Sequence, residues 1–239
     1  MRQKLALLLS SEHGGYQIPK ALESFLKIPL SVLKSHRGFD RGALEMALAF
    51  SKKLKVPLQF QTYSRLLIDS NRSFDHHHLF SKYSQKLSLP QRQQVFVKYH
   101  QSYWEKNRSR IKSLLKKYDF VLHLSVHSFT PELKGIRRKN FIGLLYDPAS
   151  SGEKNFCLVW KQKLKTEISP QKIRMNFPYL GKSNSLVTSF RKEFGTERYL
   201  GIELEMNQAL LNKPVYWNFL KSFLPQSLSQ AIETFKQAE

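Results

Sequence analysis

The chain has 239 residues, 41% of them hydrophobic and 13% aromatic, which excludes a largely disordered protein and predicts a single domain over residues 1–239 with a sizeable core. Thirty-nine Lys and Arg against 18 Asp and Glu give a formal net charge of +21, a field that draws anions to the surface. The one cysteine, Cys157, excludes an internal disulfide and a cysteine zinc site, so any metal must be held by histidines and carboxylates.

Met1-Arg2-Gln3-Lys4 followed by Leu5 to Leu9 imitates a signal peptide, but the apolar stretch is short and runs straight into His13, so Lys4 to Ser10 reads as a first core strand. No run approaches the roughly 20 apolar residues of a membrane helix, and a cytoplasmic protein without membrane insertion is expected. A short helix follows near Ala21 to Lys27. Asp40 opens the next helix, whose apolar face is Ala43, Leu44, Ala47, Leu48 and Leu54.

Val56 to Tyr63 reads as a strand ending in Ser64-Arg65-Leu66-Leu67-Ile68-Asp69 and a polar turn, and Gln91 to Tyr118 as one long helix or two short ones. Strands at Phe120 to Val126, Phe141 to Tyr146, Lys172 to Asn176 and Tyr199 to Met206 alternate with helices at Asn155 to Glu167 and Ser185 to Phe194. The tail from Val215 is helical with a break at Pro225. Such alternation predicts an α/β fold, a three-layer sandwich of a mostly parallel or mixed sheet with helices on both faces.

The most informative segment is Leu124-Ser125-Val126-His127-Ser128-Phe129-Thr130-Pro131, an apolar alternating run that ends in a histidine at a strand edge, where it can face a pocket. Acidic partners occur in Ser11-Glu12-His13-Gly14-Gly15 and Gly201-Ile202-Glu203-Leu204-Glu205, and in an α/β sheet these strand ends converge on one site. Together they suggest a metal-hydrolase centre. Glu203 and Glu205 share a strand face, where buried carboxylates are costly unless paired or metal-bound. A functional reading therefore wins, a carboxylate that takes a proton from a metal-bound water and delivers it to the leaving amine. The competing reading is that one of them, Glu205, only buttresses a neighbouring Arg. His123, deeper in its strand, reads as structural. Asp40, taken alone, reads as a helix cap. His76-His77-His78 reads as a loop, because successive residues of extended chain point to alternate sides. The basic cluster from Lys106 to Lys117 falls at helical spacing and reads as a solvated face rather than a nucleic-acid stripe.

Six blocks carry a family resemblance. Ser11-Glu12-His13-Gly14-Gly15, His36-Arg37-Gly38-Phe39-Asp40-Arg41-Gly42-Ala43, Ser64-Arg65-Leu66 with Asn71-Arg72-Ser73, Ser125 to Pro131, Gly143-Leu144-Leu145-Tyr146-Asp147-Pro148 and Gly201 to Gln208 resemble, in order over residues 5–208, the N-formylglutamate amidohydrolase family. That family is similar to the zinc carboxypeptidases and aspartoacylases. The resemblance implies one catalytic zinc held by His13, His127 and a carboxylate, Asp40, with Glu12 as a rival third ligand. It also implies Glu203 as general base and Asn71 and Arg72 as the grip on a substrate carboxylate, with Arg65 or Arg138 for a second one. The implied activity is removal of an N-acyl group, formyl included, from a small anionic amino acid such as glutamate. Two alternatives stand beside it: hydrolysis of a different amide or peptide, and a basic binding module without the reaction. One block departs from the family, which commonly carries Asp-Gly-Leu-Thr where this chain has Asn184-Ser185-Leu186-Val187.

Overall fold

The computed structural model describes residues 4–238; residues 1–3, which open the signal-like segment, and residue 239 lie outside the described part. Strands β1 (Leu5–Ser11), β2 (Leu58–Phe60), β3 (Phe120–Phe129), β6 (Ile142–Leu145), β7 (Ile173–Met175) and β8 (Tyr199–Asn207) form one sheet in the order β2-β1-β3-β8-β6-β7. The first four run parallel, and β6 and β7 run the other way. The pair β4 (Glu132–Leu133) and β5 (Ile136–Arg137) makes a separate small hairpin.

Seven of the helices order the layers: α1 (Lys20–Leu26), α3 (Ala43–Leu54), α4 (Leu89–Val95), α5 (Ser102–Leu115), α6 (Ser151–Leu164), α7 (Leu186–Phe194) and α8 (Pro214–Ala238), with the single turn α2 (Leu30–Leu33) between the first two. The period-2 pattern of the strands decides which face meets which helices. Leu5 and Leu9 of β1, Leu122, Leu124 and Val126 of β3, and Leu200, Ile202, Leu204 and Met206 of β8 pack with Phe50 of α3, Trp160 of α6 and Leu224 of α8. On the opposite face Ala6, Leu8, Val121 and Tyr199 pack with Trp104 and Ile111 of α5 and Phe190 of α7. The fold is thus an α/β sandwich of a mixed six-stranded sheet between helices.

Several boundaries differ from expectation for physical reasons. Helix α3 starts at Ala43, because Gly42 holds φ +79, a left-handed conformation only glycine adopts freely, and it buries Ala43, Met46, Ala47 and Phe50 while Leu48 is half exposed. The face is therefore turned by about one residue from the expected one. Helix α8 runs through Pro225 unbroken, carried by the burial of Leu220, Leu224, Leu228 and Ala231 on both sides of it. The helix expected over Gln91 to Tyr118 is one helical rod over Leu89 to Leu115, with a π segment at Phe96–Gln101 between α4 and α5. That bulge seats His100, whose Nε2 donates to the Arg72 carbonyl at 2.7 Å, while Trp104 Nε1 donates to the Ser70 carbonyl at 2.9 Å. These two bonds fasten the loop 64–73 over the strand ends. His76, His77 and His78 lie in a turn of that region, their rings against one another.

Candidate metal centre

The α5/α7 face of the sheet changes character along the strands. Register aligns Leu8, His123 and Gly201 in one row, Ser10, Ser125 and Glu203 in the next, and His127 with Glu205 in the last. The rows thus pass from apolar to polar toward the carboxyl ends, and the loops carrying His13, Asp40 and Asp69 close over the polar end. The Asp40 amide donates to the His13 carbonyl at 2.9 Å, tying the first two loops together.

His13, Asp40 and His127, all buried, form a group whose ligand atoms lie within 4.8 Å of one another. Asp40 Oδ2 stands 2.8 Å from His127 Nδ1 and 3.5 Å from His13 Nδ1, so both rings turn the same nitrogen toward one carboxylate. The outer nitrogens are fixed by other acids: His13 Nε2 donates to Asp69 Oδ1 at 2.6 Å, and His127 Nε2 is 3.0 Å from Glu12 Oε2. The Arg65 guanidinium contacts His13 Nδ1 from inside the cluster and lies 3.5 Å from Asp40 Oδ1. Two imidazole nitrogens and a carboxylate facing one point, with each ring oriented from behind by an acid, is a donor set suited to a divalent ion.

Asp40 therefore does not cap α3. Its carboxylate is spent on His127 and Arg65, and Gly42 occupies the cap position without a side-chain bond. Glu12 lies beneath His127, fully buried, accepting from Tyr103 Oη at 2.9 Å and from Ser125 Oγ. Burial works to raise the Glu12 pKa, yet the hydrogen bond and charge of His127 and bonds from Ser10 and Ser125 outweigh it and hold it at about 2. Burial likewise opposes charge on His127, but Asp40 and Glu12 on its two nitrogens push its pKa well above the ordinary value. His123, expected to be structural, bridges Tyr199 Oη at 2.6 Å and Ser10 Oγ at 2.8 Å.

A cavity of about 290 Å³ opens over this cluster and is lined also by Arg65, Arg72, Tyr179, Asn184, Glu203 and Glu205. The two glutamates are placed differently. Glu203 Oε1 accepts from Asn71 Nδ2 at 3.2 Å and is 4.0 Å from His127 Nε2, whereas Glu205 stands beside His127 in register and its buried Oε2 has no partner. Burial, opposed by His127 and reinforced by Asp40 and Glu203, raises the Glu205 pKa to about 8. Arg72, which lines the cavity, donates from Nη1 to the Asn184 carbonyl at 2.6 Å. Asn71 is engaged on both ends, since its Oδ1 accepts from the Leu186 amide at 2.9 Å. Arg138 is absent from the lining; it stacks on Tyr179, 5.3 Å from the ring centre. The residue that sequence reasoning passed over is Asp69. Its signal was a carboxylate two positions before Asn71-Arg72.

The family model for N-formylglutamate amidohydrolase matches residues 5–212. The chain belongs to the N-formylglutamate amidohydrolase family. Its fold is shared with the crystal structure of a gene product of Agrobacterium tumefaciens, 22% identical at a TM-score of 0.82, with 96% of this chain and 91% of that one covered. A second crystal structure, of an N-formylglutamate amidohydrolase from Ralstonia eutropha, is 16% identical at a TM-score of 0.77, with 99% and 96% covered. At such identities the likeness is one of fold. No curated protein matches the sequence. In this family member, no helix among the described residues is long and apolar enough to cross a membrane.

Proposed function

We propose that the protein is a zinc-dependent amidohydrolase that removes an N-acyl group from a small amino acid bearing a free carboxylate, with N-formylglutamate as the first candidate. Family membership supports the reaction class. The observation that carries the metal is the convergence of His13 Nδ1, Asp40 and His127 Nδ1 with both outer ring nitrogens held by acids. Asp40 is the third ligand in this reading, and Glu12, beneath His127, is not. When bound, zinc polarises the acyl carbonyl and acidifies a water molecule.

The chain's own groups do the rest. Arg72 holds the substrate carboxylate with its guanidinium, its side chain steadied by the Asn184 carbonyl and by Asp69 Oδ2 at 3.9 Å. Asn71 serves by holding Glu203 and the start of α7 rather than by gripping substrate. Arg65 supplies fixed positive charge beside the ligands, where charge builds on the acyl oxygen. One β8 carboxylate takes a proton from the attacking water and delivers it to the leaving amine. Glu203 is the choice that family resemblance suggests: it lines the cavity 4.0 Å from His127 Nε2, whereas burial raises the Glu205 pKa to about 8 and leaves that acid protonated at neutral pH, with its unpartnered Oε2 buried.

Metal analysis of protein purified without chelator, followed by turnover of a panel of N-acyl amino acids, tests the whole reading. One zinc per chain and hydrolysis within the panel are expected. A chain that stays metal-free after zinc is added, or that cleaves nothing, rejects it. Glu203→Gln should keep zinc and lose about 100-fold or more in turnover, the usual scale for a lost general base. Glu205→Gln should lose much less, and the reverse ranking gives the role to Glu205.

A further inference from the structure

Glu12 is the most deeply buried carboxylate of the site, fully enclosed, and the hydrolysis sketched above makes no use of it. An ionised acid in such a place is costly unless several donors meet it and its charge serves a neighbour. Three side chains converge on it. Tyr103 Oη donates to Oε1 at 2.9 Å, Ser125 Oγ donates to Oε2, and His127 Nε2 lies 3.0 Å from the same Oε2. The elements that supply them, α5 and β3, belong to the packed sandwich.

The consequence lies on the other side of the ring. With Glu12 Oε2 3.0 Å behind Nε2, the His127 ring stands with Nδ1 toward Asp40, 2.8 Å away. Ser125 Oγ, 2.9 Å from Nε2, cannot do this alone, because its hydroxyl can donate as well as accept and so permits either tautomer. A carboxylate accepts only. His13 has the matching device in Asp69.

We propose that Glu12 is a positioning residue for the metal centre: it fixes the rotation and tautomer of His127 from behind, so that the Nδ1 lone pair is presented beside Asp40 and His13. This rests on the reading of those three residues as the metal ligands. The role is separate from that of a ligand, since Glu12 Oε2 stands behind the ring, on the Nε2 side, while Asp40 stands before it on the Nδ1 side.

Three variants in the full chain test it: Glu12→Gln, Asp40→Ala, and Tyr103→Phe, which removes one donor to Glu12 but leaves the His127 contact. Zinc affinity from competition with a chelator should fall about 10- to 100-fold in Glu12→Gln, the usual cost of losing an outer-shell partner. It should fall beyond measurement in Asp40→Ala and hardly move in Tyr103→Phe, although thermal stability drops in both Glu12→Gln and Tyr103→Phe. Unchanged affinity in a folded Glu12→Gln overturns the proposal, as does a loss equal to that of Asp40→Ala, which would make Glu12 a ligand. If the wild-type chain binds no zinc, the functional reading fails and a second measurement still decides. The ring nitrogen resonances of His127 in metal-free protein should show an Nε2–H hydrogen-bonded to a carboxylate, lost in Glu12→Gln; a wild-type spectrum without that proton overturns the positioning role.

Discussion

The two faces of one sheet have opposite tasks, although the same strands build both. The face toward α3, α6 and α8 is apolar from Leu5 and Phe120 to Met206, with Ser11 and Ser128 as polar residues at the ends of β1 and β3. The other face is apolar at the strand starts and becomes a row of serines, histidines and glutamates toward the carboxyl ends, closed by Phe129 at the end of β3. Alternating residues of β3 and β8 thus hold the fold and the chemistry at once. The lesson is that a costly polar cluster can stand on a sheet because the reverse side of the same backbone is tightly packed. Changes on the two faces should separate stability from metal binding.

The largest effect is expected from Asp40→Ala. It removes the carboxylate shared by His127, His13 and Arg65 and leaves those groups facing one another. Zinc per chain should fall from one to near zero, with activity below detection, while the apolar face keeps the fold intact by circular dichroism. Full zinc content in this variant would break the assignment of the centre.

Trp160→Ala strikes the reverse face. Trp160 is fully buried among the helices there and donates to Ser227 Oγ at 3.0 Å, so its truncation should cost about 3–5 kcal/mol, a fall in Tm on the order of 10 °C. Zinc affinity below the transition should stay within a few-fold of wild type. A coupled loss of affinity would show that the two faces are not independent.

Arg72→Ala touches only the cavity edge. Loss of a charged hydrogen bond should raise KM for an N-acyl amino acid by roughly 10- to 100-fold with kcat less affected, and esterifying the substrate carboxylate should mimic it. If the +21 charge instead serves a nucleic-acid partner, tight duplex binding with a steep salt dependence and no hydrolysis would appear.

The sandwich was legible because its strands alternate or run apolar and its helices carry periodic faces. His127 was legible from its place at the end of such a run, and His13 from the family resemblance of its block, Ser11 to Gly15. Other parts depend on distant contacts that no local pattern encodes. Asp40 looks like a cap until the fold brings β3 beside it. Asp69 gains its role from a loop fastened by Trp104 and His100 across the chain. The difference between Glu203 and Glu205 turns on distant contacts, because Asn71 reaches Glu203 from its loop while Glu205 Oε2 is buried without a partner. Arg138, basic and close in sequence to β6, is turned onto Tyr179 instead of into the cavity.

The smallest effect sharpens the comparison within a single strand. His123 and His127 share a face of β3, yet their protonation runs in opposite directions. His123 meets only Tyr199 and Ser10 hydroxyls, and burial, weakly opposed by the charge of Glu12, depresses its pKa from 6.5 to about 4. His127 lies between two carboxylates that overcome burial and raise its pKa. For His123 the unfolded chain takes up the proton first, so stability falls as the pH drops from 6.5 to about 4, with a limiting cost on the order of 3 kcal/mol. For His127 in metal-free protein the folded state holds the proton more tightly, so its contribution is complete below 6.5 and fades only as the pH rises through its folded pKa. Chemical denaturation of metal-free protein between pH 4 and 6.5 should therefore be less pH-dependent in His123→Gln, which keeps a donor and an acceptor for Tyr199 and Ser10, than in wild type. Glu12 does not blur that window, because its depressed pKa moves its own loss of stability to between about 4.5 and 2. Parallel pH profiles for the two proteins would mean that His123 is protonated in the folded state and that the hydroxyl row is not the neutral layer between core and centre.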